Sequence, residues 1–249
     1  MAFTGGMGQL LVLDVDGVMI DSGGSFETCV AKTLKEMVPD LVWSDEMFWK
    51  FKRIPGFNND FRLAATAVAL FEAGEIGRLE DNIGFFPDLK KRIDELEPIC
   101  GERMQYYYQD VKHLERPLIS LPELETIQGW DVAILTGRLP VELAMAFDVL
   151  GFKLPAICDS CPEFRKPEPG GMLHLVNTFE AKKIIFVGDT RDDATCLRRA
   201  RQARPDLNFT FVAVNKLRNE ISQLGDLTFE TLREFISSGI LTATARAQN

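Results

Sequence analysis

The stretch Leu11-Val12-Leu13-Asp14-Val15-Asp16-Gly17-Val18 constrains this chain more than any other. An apolar run ends in two carboxylates, one residue apart, with glycine directly behind them. A short apolar run bounded by a turn signal reads as a buried strand. Gly17 lets the chain turn sharply at its end. Asp14 then sits at the carboxyl end of the strand, where open α/β sheets place their ligands. Two acids facing one small volume are useful when a cation or a proton is shared between them. Taken alone, the Asp-Gly pair is equally well an ordinary turn.

The pattern that follows is helical. Phe26, Val30, Leu34 and Met37 recur at helical spacing, with Ser25 placed as the N-cap. Phe48, Phe51 and Ile54 repeat the spacing after Ser44-Asp45. Phe61, Ala65, Val68 and Phe71 do so again, ended by Gly74. Leu89, Ile93 and Leu96 follow Pro87, and a further helix is expected through Met104 and Tyr107. This span is too long for a loop. It reads as an all-helical insert over 21–116, and residues 1–20 and 117–249 form the main domain. Within the insert, Pro55 to Asp60 reads as a helix–helix turn with Asn59 or Asp60 as N-cap. The two amides, Asn58 and Asn59, beside an exposed Phe57 also suit a polar substrate. Tyr106-Tyr107-Tyr108 reads as packing.

From Leu121 onward strands and helices alternate. Val132–Leu135, a weak Ala156–Cys158, Ile184–Val187 and Phe211–Val214 read as strands, each followed by an apolar-periodic helix. The expectation is an α/β fold with a doubly wound, mainly parallel, Rossmann-like sheet.

Charge and cysteine content narrow the classes of function. Thirty-seven acids against 28 bases leave a formal net charge of -9, with no basic stripe, so a nucleic-acid partner is not expected. An anionic substrate then needs local compensation, from a metal or from a few placed Lys and Arg. Five widely spread Cys do not read as a disulfide framework. Cys158 and Cys161 have metal-ligand spacing. A structural zinc needs four ligands, and there is no second such pair and only His113 and His174 besides. The pair is expected as packed thiols. Met1 to Gly8 lacks the basic and apolar regions of a signal peptide, and no apolar run spans a bilayer. The expectation is a cytoplasmic protein without a membrane partner, as monomer or homodimer.

Three strand ends carry polar clusters: Asp14 with Asp16, Thr136 with Arg138, and Asp189 with Asp193. Parallel strands bring their carboxyl ends to one edge, so these groups and Lys166 are expected to meet. Clustered acids need a cation, and all-oxygen ligands favour Mg²⁺. Asp14 is then placed as a carboxylate nucleophile forming an aspartyl phosphate. Asp16 is placed to protonate the leaving oxygen and later to activate water. Thr136 and Lys166 are placed to hold phosphate oxygens.

In these residues the chain resembles the haloacid dehalogenase superfamily of phosphohydrolases. Asp14-Val15-Asp16-Gly17-Val18 resembles its first motif and Leu135-Thr136-Gly137 its second. Lys166-Pro167-Glu168-Pro169 resembles the third, and Val187-Gly188-Asp189 through Asp193 the fourth, in the family's order. The helical insert lies where the family's helical C1-type cap lies. The resemblance implies that Asp14 is nucleophile and metal ligand, and that Asp16 is acid/base and binds metal through its backbone carbonyl. It implies phosphoryl binding by Thr136 and Lys166, Mg²⁺ binding by Asp189, and a ligand or orienting role for Asp193. Asp16 argues against the dehalogenase branch, which lacks it. Gly137, Arg138, Asn58 and Asn59 become substrate-contact candidates, and for Arg138 a surface ion pair is the alternative. The implied activity is Mg²⁺-dependent hydrolysis of a small phosphorylated metabolite, as in phosphoglycolate phosphatases. Alternatives are a β-phosphoglucomutase-type phosphomutase and a non-catalytic phosphate-binding protein. A signalling receiver domain is disfavoured by the insert and by Asp16.

Overall fold

The computed structural model describes residues 8–52, 54, 57, 59–77, 87–214 and 225–241. They fall into two compact units, Met1–Asp21 with Arg116–Asn249 and Ser22–Glu115.

The first unit is built on a six-stranded sheet. Its strands are β1 (Gln9–Leu13), β4 (Asp131–Leu135), β5 (Ala156–Ile157), β6 (Lys183–Gly188), β7 (Asn208–Ala213) and β8 (Leu227–Thr228). Their order is β5-β4-β1-β6-β7-β8, all parallel. Every residue of β1 is buried, which is why Leu10–Leu13 is a continuous apolar run with no alternation. Side chains nonetheless divide between two cores with period two. Leu11, Leu13, Ile134 and Val187 lie in one; Leu10, Val12, Leu135 and Phe186 lie in the other. The helices of this unit are α5 (Leu121–Glu125), α6 (Pro140–Leu150), α7 (Gly170–Thr178), α8 (Arg191–Ala203) and α9 (Leu232–Ser237).

The strand order fixes where a site can form. From β1 the chain steps outward through β4 and β5, then crosses to β6 on the other side of β1. The order therefore reverses between β1 and β6, and the crevice outside their carboxyl ends is a topological switch point. Leu13 pairs with Val187, and the Asp14 amide donates to the Val187 carbonyl at 3.0 Å.

Three two-residue strands lie outside the sequence reading. β8 extends the sheet, and β2 (Ile20–Asp21) pairs antiparallel with β3 (Arg116–Pro117) as a separate ribbon. Two residues carry no periodicity, so composition gives no signal for them.

The second unit holds α1 (Ser25–Met37), α2 (Asp45–Lys52), α3 (Asp60–Glu72) and α4 (Lys90–Val111). Three expectations are corrected here. Gly24, at φ 80°, is the N-cap of α1, because Ser25 is buried and its hydroxyl donates to Glu115 Oε1 at 3.0 Å. The span from Lys90 to Val111 is one helix and not two, with Pro98 inside it. Packing of Ile93, Leu96, Cys100 and Met104 on one buried face outweighs the single backbone bond that Pro98 removes. Phe57 is buried, packing edge-on against Phe51 at 5.3 Å between ring centroids. Of the three consecutive tyrosines, Tyr108 alone is buried; it stacks on Phe26 and donates to Glu115 at 2.7 Å. No helix among the described residues is long and apolar enough to cross a membrane. Cys158 and Cys161 are half-buried free thiols.

Candidate active site

At the end of β1, Gly17 takes φ 71° and its amide donates to the Ile20 carbonyl at 2.8 Å. This left-handed turn holds Asp14 and Asp16 at the sheet edge. Asp14 Oδ1 accepts from the Val15 amide at 2.8 Å and lies 2.9 Å from Lys166 Nζ. Its Oδ2 accepts no hydrogen bond among the described residues. Burial pushes the Asp14 carboxyl up to about 7, with Lys166 opposing and Asp193 and Asp16 adding to the rise.

Lys166 arrives from the segment between β5 and α7, in a cis peptide with Pro167. Its ammonium is buried and bridges Asp14 and Asp193, at 2.6 Å from Asp193 Oδ1. Burial alone pulls its pKa down; the two adjoining carboxylates more than offset this, and the group stays charged.

Asp193 is the most enclosed acid, fully buried in the first turn of α8. Its Oδ2 accepts from the Asp189 amide (3.2 Å), the Thr190 amide (2.9 Å) and the Thr190 hydroxyl (2.6 Å). Thr190 is the N-cap and in turn accepts from the Asp193 amide at 3.1 Å, so the two form a reciprocal capping box. Gly188 is required beside them. A Cβ at that position lies 2.6 Å from Asp193 Cβ and 2.7 Å from its Oδ2.

Asp189 leaves β6 at the switch point. Its carboxyl stands well above the ordinary range because of burial, then because of Asp14 and Asp193. No described residue donates a hydrogen bond to it. Oxygens of Asp14, Asp189 and Asp193 lie within 4.8 Å of one another. One ammonium does not balance three carboxylates, and burial without a donor is costly for a charged group. The donor set is all oxygen, so the cluster fits a hard divalent cation such as Mg²⁺. With both Asp193 oxygens engaged, the open donors are Asp14 Oδ2 and the Asp189 carboxylate.

Thr136 ends β4, buried, with Oγ1 accepting from the Arg138 amide at 3.2 Å. Gly137 is exposed, with open space where a Cβ would stand.

The Arg138 side chain is 1% exposed, and it grips Asp16 with two bonds, Nε to Oδ2 at 3.0 Å and Nη2 to Oδ1 at 2.6 Å. The expected ion pair is present, but it is a buried one with Asp16 and not a surface one. The N-cap expectation for Asn59 holds. Its Oδ1 caps α3 through the Phe61 and Arg62 amides and its Nδ2 donates to Glu97 Oε1, so its side chain is taken. Asn58 lies outside the described residues. Sequence reasoning passed over Thr190 and Gly188. The Thr190-x-x-Asp193 spacing ahead of an apolar-periodic run is a capping-box signal that identifies the first.

A family profile described as haloacid dehalogenase-like hydrolase matches residues 9–201. The chain belongs to the haloacid dehalogenase-like hydrolases. Solved structures of similar fold include a phosphatase from Thermococcus thioreducens, with TM-score 0.68 and 20% identity, covering 94% of this chain and 99% of that one. A predicted phosphoglycolate phosphatase from Haemophilus somnus gives TM-score 0.66 at 19% identity, over 92% and 96% of the two chains. Among curated proteins, an imidazoleglycerol-phosphate dehydratase from Phytophthora nicotianae is 26% identical over 198 residues, 77% of this chain and 41% of the relative. The chain thus spans about two fifths of the length of the curated relative it matches. The six-stranded parallel sheet with flanking helices is the fold of haloacid dehalogenase-like hydrolases, and this family makes the protein an enzyme.

Proposed function

We propose that this enzyme is a Mg²⁺-dependent phosphatase that hydrolyses a small phosphorylated metabolite through an aspartyl phosphate on Asp14. One observation carries the reading: Asp14 Oδ1 is pinned by the Val15 amide and Lys166, while Oδ2 is left without a donor at the switch point. A carboxylate fixed at one oxygen and open at the other is pre-oriented for attack. Asp14, Asp189 and the Asp16 backbone carbonyl would hold the metal, and Asp193 orients this set by fixing Lys166 and the start of α8. When bound, Mg²⁺ screens the repulsion between carboxylate and phosphate and stabilises charge on the phosphoryl oxygens.

The first half-reaction forms the Asp14–phosphorus bond and breaks the ester P–O bond, with Asp16 giving a proton to the leaving oxygen. In the second, water attacks phosphorus, its proton passes to Asp16, and the Asp14–phosphorus bond breaks. The Thr136 hydroxyl, the exposed Gly137 backbone and Lys166 bind phosphoryl oxygens. The helical unit Ser22–Glu115 serves as the cap, the location is cytoplasmic, and the chain acts as a monomer or homodimer.

The test is phosphate release from a panel of small phosphate esters, with and without Mg²⁺, for wild type and Asp14→Asn. Structural neighbours named as phosphoglycolate phosphatases put phosphoglycolate on the panel. Metal-dependent release that the substitution abolishes supports the reading; equal release by both proteins refutes it. Release from no ester, with a bisphosphorylated sugar detected instead, replaces it with the phosphomutase.

A further inference from the structure

We infer that Arg138 is the positioning residue for Asp16, and that it sets this carboxylate to receive the proton of the attacking water. The inference deepens the proposed function and rests on it for the role of Asp16.

Asp16 is the more exposed partner, its side chain 34% exposed against 1% for Arg138. The guanidinium is anchored from behind. Nη1 lies 3.4 Å from the Glu142 carbonyl, the Arg138 amide is bonded to Thr136 Oγ1, and its carbonyl accepts from the Asp159 amide at 3.0 Å. Glu142 is itself fixed, its Oε2 accepting from the Leu139 amide at 2.8 Å as part of the start of α6. A rigid, buried fork thus grips a carboxylate that is itself partly exposed. The fork geometry of arginine fixes a carboxylate in plane as well as in position, which lysine cannot do. A buried charge of this kind is otherwise costly, and a surface bridge would have served stability as well.

The orientation suits proton transfer. With an N–H on each Asp16 oxygen, the lone pairs left over point away from Arg138 and can accept a proton. The geometry therefore holds Asp16 oriented for the proton transfer that hydrolysis of the phosphoenzyme requires.

The experiment is transient and steady-state kinetics on p-nitrophenyl phosphate, whose leaving group needs no proton. For Arg138→Met we expect kcat to fall about 10- to 100-fold, a part of the roughly 10²–10⁴-fold that general-base catalysis contributes. KM should fall with it, leaving kcat/KM unchanged, and a burst of nitrophenolate should appear as the phosphoenzyme accumulates. Asp16→Asn should show the same signature, and the double variant should add nothing further. Equal loss of kcat and kcat/KM without a burst would mark Arg138 as a structural residue only and overturn the inference, as would additive effects. If Arg138→Met does not fold, Arg138→Lys takes its place, with a smaller fall in kcat and the same split. Crystal structures of wild type and variant give a readout apart from activity. Should the wild type cleave no ester, the phosphatase reading fails, and positioning is then judged by the Asp16 side chain. Displacement in the variant supports it, and an unmoved carboxylate overturns it.

Discussion

The first turns of α3 and α8 use the same device with opposite results. Each helix starts at a polar side chain that caps backbone amides, Asn59 in one and Thr190 in the other. At α3 the device closes on itself: Asn59 Oδ1 takes two amides and Nδ2 goes to Glu97. At α8 the reciprocal partner is Asp193, and the cap uses only its Oδ2. Oδ1 remains to hold Lys166 at 2.6 Å. A polar residue at a helix start can serve chemistry when the atom that capping leaves over meets a charged group of the site, as Asp193 Oδ1 meets Lys166.

The comparison is open to four measurements, taken from the largest expected effect. Asp193→Ala removes the reciprocal half of the α8 capping box and breaks the buried Lys166–Asp193 pair, leaving Lys166 with Asp14. Breaking a buried pair costs about 3–5 kcal/mol, so urea unfolding should show a loss of that order, together with loss of activity. A loss no larger than that of an ordinary cap would dissolve the contrast.

Mg²⁺ should act on the α8 end alone. At a hundredfold excess over Kd it stabilises by about 2.7 kcal/mol, read as a rise in Tm. The rise should shrink as pH falls. In the metal-free protein the Asp14 carboxyl is pushed up to about 7 from 3.8, so the folded state holds this proton more tightly than the unfolded. Metal-free stability from this group is therefore present below about pH 4 and is lost as pH rises towards 7. The cation displaces that proton, so its benefit is greatest above pH 7. A Tm shift independent of pH would place the ion elsewhere.

Gly188→Ala puts a methyl group 2.6 Å from Asp193 Cβ. Overpacking of this kind costs about 1–3 kcal/mol, and thermal unfolding with kinetics should show stability and kcat declining together. The smallest effect is expected of Asn59→Ala, a loss of about 1 kcal/mol for a helix cap with kcat unchanged. A change in kcat/KM there would return Asn59 to the substrate.

The acids of the site were legible because their positions follow from two local rules. Apolar runs mark strands, and parallel strands bring their carboxyl ends together, so Asp14, Thr136 and Asp189 were bound to converge. The job of Arg138 was not legible, because its partner lies 122 positions away and nothing in its own neighbourhood names Asp16. The same holds for Phe57, whose burial depends on Phe51 and not on the polar residues beside it. The continuity of α4 through Pro98 was hidden for the converse reason. The local signal was a break, and tertiary packing overrode it. Two-residue strands such as β2 and β8 are too short to have a period.

The β2–β3 ribbon brings Asp21 and Arg116 into register as direct partners. The polypeptide that departs at one returns at the other, so closure of that excursion is settled within the sheet-bearing unit. Lengthening or exchanging what lies between them alters the entropy of closure by only about 0.6 kcal/mol per doubling of length. The ribbon has the form of a socket: a foreign insert grafted between Asp21 and Arg116 is expected to leave the strand order unchanged.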